Sequence, residues 1–128
     1  METRTARPTD LPAVMNVLDG ASLAVDAESV RERIDAGTVF VAVTDGRVLG
    51  ACVLDGERID AIAVRRRRRG QGVGRRLVEC AAASTTDALS AEFDRRTRSF
   101  YDALGFDIEP TDEPDRFRGR RDCGGPRR

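Results

Sequence analysis

Arginine and glycine supply the strongest chemical signal in this chain, in the stretch RRRRRGQGVGRRLV from Arg65 to Val78. The stretch follows an alternating run, RIDAIAV from Arg58 to Val64, and leads into an amphipathic helical pattern. A strand that feeds a glycine-rich, arginine-rich turn opening a helix is suited to holding phosphates. Glycine lets the backbone approach a ligand closely and tolerates positive φ. The first N–H groups of the helix have no partner within it, and the positive end of its dipole faces the same anion. Arginine adds fixed charge on a planar fork that matches phosphate oxygens.

Composition removes several other chemistries. Histidine is absent, which excludes a Ser-His-Asp triad, a Cys-His pair and a histidine metal site. The three cysteines, Cys52, Cys80 and Cys123, are widely spaced and form no CxxC, so neither a disulfide framework nor a zinc site is expected. All 22 basic residues are arginine, against 14 aspartates and 8 glutamates, and the formal net charge is zero. Bulk attraction to nucleic acid or to a membrane has no basis at zero net charge, so any anion must be bound locally. The start METRTARPTD has no apolar segment, and no apolar run reaches membrane-spanning length. The protein is therefore expected to be cytoplasmic, with no membrane partner and no metal.

The elements that would position the glycine turn read clearly. Residues 1–121 are expected to form one domain and residues 122–128 a disordered tail. A weak strand at Met1 to Arg7 precedes a helix capped by Thr9 or Asp10, with Pro12 in its first turn and Leu11, Val14, Met15 and Leu18 at helical spacing. Asp26 caps a second short helix carrying Val30 and Ile34, stopped at Gly37. VFVAVT (Val39 to Thr44), RVLGACVL (Arg47 to Leu54) and ERIDAIAV (Glu57 to Val64) are strands joined by Asp45-Gly46 and Asp55-Gly56, which predicts an antiparallel meander. After the glycine turn, Val73, Leu77, Cys80, Ala81 and Ser84 are expected on one side of a helix. ALSAEF (Ala88 to Phe93) is a strand, Asp94 caps a last helix with Phe100, Tyr101 and Leu104, and Phe106 to Glu109 and Asp115 to Arg121 are closing strands. The order β-α-α-β-β-β-α-β-α-β-β predicts an α/β (α+β) fold. Its sheet is mixed and mostly antiparallel, of about six to seven strands, with helices on both faces and one parallel pair across the glycine-turn helix.

Two phosphate motifs can be set aside. A P-loop needs lysine, which the chain lacks, and GxGxxG is not matched by Gly70-Gln71-Gly72-Val73-Gly74, which follows the fourth strand rather than the first. Arg69-Gly70-Gln71-Gly72-Val73-Gly74 does match [Q/R]xxGx[G/A], and in this it resembles the acyl-CoA loop of the GNAT superfamily of N-acyltransferases. SFYDALGF, Ser99 to Phe106, is similar to that family's later FY-x-x-LGF signature. The resemblance extends over nearly the whole chain, from Glu2 to about Arg121.

The resemblance implies an acetyl-CoA-dependent N-acetyltransferase. Arg69, Gly70, Gln71, Gly72, Val73, Gly74 and Arg75 would wrap the coenzyme's pyrophosphate, and the first arginines of the stretch would meet its ribose 3′-phosphate. The strand ending at Val64 would splay from Ala88 to Phe93, so that the pantetheine arm lies along Ile62, Ala63 and Val64 like an added strand. An N–H near Val64 would face the thioester oxygen. Tyr101 would be the general acid that protonates the leaving thiolate. The amine must lose a proton, and Asp60 is the preferred carboxylate, with Glu57, Glu92 or water as alternatives. Alternation places Ile59, Ala61 and Ala63 on one face and Arg58, Asp60, Ile62 and Val64 on the other, so Asp60 would share the pantetheine face. The family's asparagine before the last helix is missing; DRRTRS stands there, with arginines suited either to an acidic or phosphorylated substrate or to a solvated face. The acceptor would be a small amine or a protein amino group, and a second subunit of a homodimer would complete the site. Two other readings stay open: a non-catalytic acyl-CoA-binding domain, and an arginine-rich nucleotide or RNA-binding domain.

Overall fold

A computed structural model of the chain describes residues 1–21 and 25–123. Strands β1 (Glu2–Thr5), β2 (Val39–Thr44), β3 (Arg47–Asp55), β4 (Arg58–Val64), β5 (Ala88–Asp94), β6 (Asp107–Pro110) and β7 (Arg116–Asp122) form one sheet. Their order in the sheet is β1-β2-β3-β4-β5-β7-β6. Every neighbouring pair is antiparallel except β4 with β5. Helices α1 (Leu11–Gly20) and α2 (Ala27–Asp35) lie between β1 and β2, α3 (Val73–Ala83) joins β4 to β5, and α4 (Arg98–Ala103) precedes β6. The mixed, mostly antiparallel sheet agrees with the expectation from the sequence.

Two cores, one per face, explain the near-continuous apolar run of β2. Val39, Val41 and Val43 pack with Val14 and Leu18 of α1 and Val30 and Ile34 of α2. Phe40 and Ala42 point the other way, into a cluster with Leu77 and Val78 of α3, Leu89 and Phe93 of β5, and Tyr101 of α4. A strand buried on both faces needs apolar residues at every position, not at alternate ones. Phe40 is 1% exposed; burying a side chain of that kind stabilises by about 1.5–3 kcal/mol. The Asp45-Gly46 turn holds both residues at positive φ, +52° and +75°, as a type I′ hairpin requires.

Several local expectations are corrected. Asp10 takes the N-cap position of α1, but its side chain makes no capping bond there. A 3₁₀ turn, Pro8–Asp10, intervenes, and Asp10 Oδ2 accepts from the Arg7 backbone N–H and from Arg4 Nη1, each at 2.7 Å. The buried stripe of α3 is Val73, Leu77, Val78, Ala81 and Ala82; Cys80 is only partly buried and Ser84 is exposed. Asp94 does bond the N–H of Arg96 at 2.9 Å, but it caps the 3₁₀ turn Arg95–Thr97 rather than α4 itself. Ordered pairing runs past residue 121: Asp122 pairs with Ala88, and the Cys123 N–H donates to the Asp87 carbonyl at 2.9 Å. The rest of the expected tail, residues 124–128, lies outside the described residues. Among the described residues no helix is long and apolar enough to cross a membrane.

Candidate active site

The cleft begins where β4 and β5 part. The two strands pair only at Arg58 with Ser90 and Ile59 with Ala91. Each is held on its far side by another strand. β5 matches β7 over seven residues, from Ala88–Asp122 to Asp94–Arg116. The end of β4 is tied to β3: the Arg65 N–H donates to the Leu49 carbonyl at 2.8 Å, and Arg65 Nε donates to the Val48 carbonyl at 2.7 Å. Beyond Ile59, β4 stays paired with β3 as far as Val64, whereas its pairing with β5 has stopped. The backbone from Ile62 to Val64 is thereby left without a strand on its β5 side, ready for a ligand to add there.

A cavity of about 560 Å³ lies along this opening. Ile62, Ala63, Val64, Arg69, Gly70, Gly72, Val73, Gly74 and Arg75 all line it. Gln71 does not; its Nε2 donates to the Arg67 carbonyl at 3.2 Å, so its side chain braces the loop instead. Gly70 and Gly72 have φ of +76° and +85°, a region costly for any residue with a Cβ. Gly72 is the N-cap of α3, and its carbonyl accepts the first helical bond, from the Arg76 N–H at 3.1 Å. The N–H groups of Val73, Gly74 and Arg75 therefore precede that ladder and suit an anion.

Gly74 has a different purpose. A Cβ there would lie 3.1 Å from Cε1 of Phe100, so this glycine admits the aromatic ring of α4 against the start of α3. Gly50, unremarked in the sequence, acts in the same way on β3: its Cβ would sit 2.9 Å from the Ala63 carbonyl oxygen and 3.1 Å from Val73 and Leu77. Phe100, Arg68, Arg96, Thr97 and Ala21 complete the lining. The sequence places Phe100 on the last helix with Tyr101 and Leu104, and nothing in the local pattern distinguishes a core wall from a cleft wall.

A second cavity, about 530 Å³, opens beside the first and shares Ala21, Ile62, Arg69, Arg96 and Thr97 with it. Asp60, Glu92, Asp94 and Tyr101 line this second space. Tyr101 is 4% exposed, its ring stacked on Phe93 at 4.3 Å and met edge-on by Phe100 and Phe106. Burial pushes its phenol well above the ordinary tyrosine range, with a smaller contribution from Cys52. Tyr101 is consequently a proton carrier, not a phenolate, at neutral pH.

The carboxylates separate. Leu54 pairs with Ile59 and Val53 with Ala61, leaving Asp60 as the extra residue of a bulge. The bulge overturns the expected alternation: Ile59 joins the α3 and α4 core, whereas Ala61 and Ala63 join the α1 and α2 core. Asp60 turns to α2, where Arg33 Nη1 donates to Oδ2 at 2.7 Å, so it does not share a face with Ile62 and Val64. It still borders the second cavity. Glu92 lies across from it, 3.8 Å from Arg116 and 3.7 Å from Arg118. Glu57 lines neither space; it accepts from the N–H and the hydroxyl of Thr86, both at 3.3 Å, and the backbone bond chiefly lowers its pKa.

Comparison with known proteins agrees with this geometry. The model of the acetyltransferase (GNAT) domain matches residues 35–108, more than half of the chain. The peptidyl-lysine N-acetyltransferase YjaB of Salmonella typhimurium is 31% identical over 106 residues, covering 80% of this chain and 73% of the relative. Two solved structures share the fold at low identity. A GNAT-family acetyltransferase from Bacillus cereus has a TM-score of 0.78 at 16% identity, covering 98% of each chain. The N-acetylglutamate synthase of Neisseria gonorrhoeae, complexed with coenzyme A and N-acetyl-glutamate, has a TM-score of 0.76 at 18% identity, covering 97% of this chain and 35% of the other. With its splayed strands, glycine loop and matching domain model, the chain belongs to the GNAT family of acetyltransferases.

Proposed function

We propose that the protein transfers acetyl from acetyl-CoA to a primary amine, the side chain of a protein lysine, by direct attack in a ternary complex. The observation that carries this reading is the junction of the two cavities at Ile62, Arg69 and Thr97, beside the parting of β4 from β5. The donor occupies the first cavity and the amine enters through the second. The coenzyme's diphosphate rests on the N–H groups at Gly72 to Arg75, with Arg69 and Arg75 alongside. Its pantetheine arm bonds to the backbone of Ile62 to Val64 on the side away from β3, displacing Arg69 Nε, which donates to the Val64 carbonyl at 3.0 Å. The lysine acceptor is supported by the name of the 31% identical relative, a peptidyl-lysine N-acetyltransferase.

The chemistry follows from the groups on the walls. An alkyl ammonium with a pKa of about 10.4 has no lone pair to attack with, so a base must take its proton. Asp60 takes it, through water where the distance requires, and Glu92 is the alternative on the opposite wall. The neutral nitrogen attacks the thioester carbon, and an N–H at Val64 meets the oxyanion that forms. As the C–S bond breaks, Tyr101 gives its proton to the departing thiolate and is reprotonated from the proton released by the amine. No covalent enzyme intermediate is needed. Cys52 is fully buried, with its thiol pushed up to about 12, and neither cavity is lined by a cysteine or a serine.

The deciding experiment is calorimetry with acetyl-CoA on folded protein, followed by thiol release with a panel of amines and lysine peptides. Binding together with peptide-dependent release of free coenzyme A is the expected result. An absence of coenzyme binding would end the proposal, and binding without release would leave an acyl-CoA-binding domain in its place.

A further inference from the structure

The arginines of α2, β4 and β7 are largely matched with acids: Arg33 and Arg58 with Asp60, Arg116 and Arg118 with Glu92, Arg120 with Asp122. Among the described residues, none of Arg47, Arg65, Arg66, Arg67 and Arg68 has a carboxylate within ion-pair distance. These five, with Leu49, are the entire lining of a separate cavity of about 410 Å³. Arg7, Arg69, Arg76, Arg98 and Arg121 also lack an ion pair among the described residues, but Arg47 and Arg65 to Arg68 share a single cavity with no carboxylate in its lining.

We propose that this cavity is a second anion site, beside the coenzyme cleft, for a compact ligand carrying two linked phosphates, either free or as the tail of a nucleotide. Part of it is already fixed in place. Arg65 is held by its Nε on the Val48 carbonyl and by Nη1 on Asn16 Oδ1 at 3.1 Å, so one fork is pre-oriented before any ligand arrives. Leu49, 2% exposed, makes an apolar wall that strengthens charge interactions beside it. Phosphate fits better than carboxylate, because each phosphate group brings up to two charges and three acceptor oxygens to planar donors. Nothing aromatic lines the space, so recognition falls chiefly on the phosphates. Of the first arginines of the stretch, expected at the coenzyme's 3′-phosphate, Arg65, Arg66 and Arg67 do not line the coenzyme cleft, whereas Arg68 lines both cavities and places the two ligands next to each other.

The site does not depend on acetyl transfer, and its test keeps the two apart. Inorganic pyrophosphate is titrated calorimetrically onto the full chain at fixed ionic strength with coenzyme A held at saturation, which fills the glycine loop. One pyrophosphate should still bind per chain. Arg47→Ser, on β3 and outside that loop, should weaken it roughly tenfold, and adding Arg67→Ser roughly tenfold more, the usual loss for a charge-assisted hydrogen bond. ADP in place of pyrophosphate separates the sources: equal affinity identifies the free diphosphate group as sufficient, and tighter binding identifies a nucleotide. Both side chains are exposed, so thermal melting should show the variants folded, with midpoints equal to or above that of the parent once like charges are removed. Displacement of pyrophosphate by coenzyme A, or unchanged binding in the folded double variant, would overturn the proposal. Failure of coenzyme A to bind would instead count against the acetyltransferase chemistry, and the arginine variants would still decide this site in the coenzyme-free chain.

Discussion

Gly74 and Phe100 touch across the coenzyme cleft: a Cβ on Gly74 would stand 3.1 Å from Cε1 and 3.2 Å from Cζ of the ring. Phe100 also lines the cleft, so anything placed on Gly74 moves a wall of the donor site. Gly74→Ala should weaken acetyl-CoA binding, and Gly74→Val should also lower stability by about 1–3 kcal/mol through overpacking. Thermal shift with and without acetyl-CoA checks both. Phe100→Leu added to Gly74→Ala should recover much of the coenzyme shift; if it does not, the contact is irrelevant to binding.

Gly72 acts through its backbone. Its φ of +85° is strained for any L side chain, whereas the space around its Cβ position is open. Gly72→Ala should therefore cost about 1–2 kcal/mol without any clash. Gly72→Asn should cost less, because asparagine tolerates the left-handed region. Urea unfolding of the two variants would show this order; equal losses would mean that packing, not φ, sets the requirement.

Tyr101→Phe leaves the stacking on Phe93 in place and removes only the hydroxyl. For a general acid, kcat should fall by about a hundredfold or more while coenzyme affinity holds. Because burial raises the phenol's pKa, activity of the parent should persist into alkaline solution without a limb near the ordinary tyrosine value. A kcat within about twofold of the parent would remove Tyr101 from the chemistry and return it to the core.

Asp60→Asn tests the base. Its kcat/KM should fall by about ten- to a hundredfold near neutral pH. Glu57→Gln should have no such effect, since Glu57 is turned to Thr86 and borders neither cavity. A larger loss in Glu92→Gln than in Asp60→Asn would transfer the role across the cleft.

Stability should decline in alkali. Cys52 is fully buried, and its thiol rises from 9.0 to about 12 on folding. The neutral thiol is favoured in the folded state, so this contribution is complete below about pH 8.5 and is lost as pH rises through the folded value. Tyr101 titrates in the same direction, at higher pH. Unfolding free energies from pH 8 to pH 11 should fall steadily in the parent, by an amount on the order of a few kcal/mol. Cys52→Ala, less stable at neutral pH, should show a shallower slope; an identical slope would mean the thiol does not ionise only on unfolding.

Much of this architecture was legible before any coordinates. Asp45-Gly46 specifies a tight hairpin because few residue pairs tolerate positive φ twice, and VFVAVT declares a strand covered on both sides. The glycine loop is equally direct, since Gly70 and Gly72 occupy backbone conformations that other residues resist. Such features are local: the residue and its immediate neighbours contain the whole physical reason.

Features that depend on distant partners needed the folded chain. One extra residue at Asp60 exchanges the faces of β4, and a one-residue slip leaves the amino-acid pattern unchanged while reversing every side chain. The opening between β4 and β5 begins where their pairing stops, past Ile59 and Ala91, while β4 remains paired with β3 and β5 with β7. Whether an arginine is neutralised depends on which acid arrives beside it: Asp60 meets Arg33 from 27 residues away, and among the described residues no acid reaches Arg66 or Arg67. Chain order dictates turns and apolar faces, where short-range sterics dominate. Tertiary packing alone assigns the cleft, its walls and its unbalanced charge, because those arise only between segments far apart along the backbone.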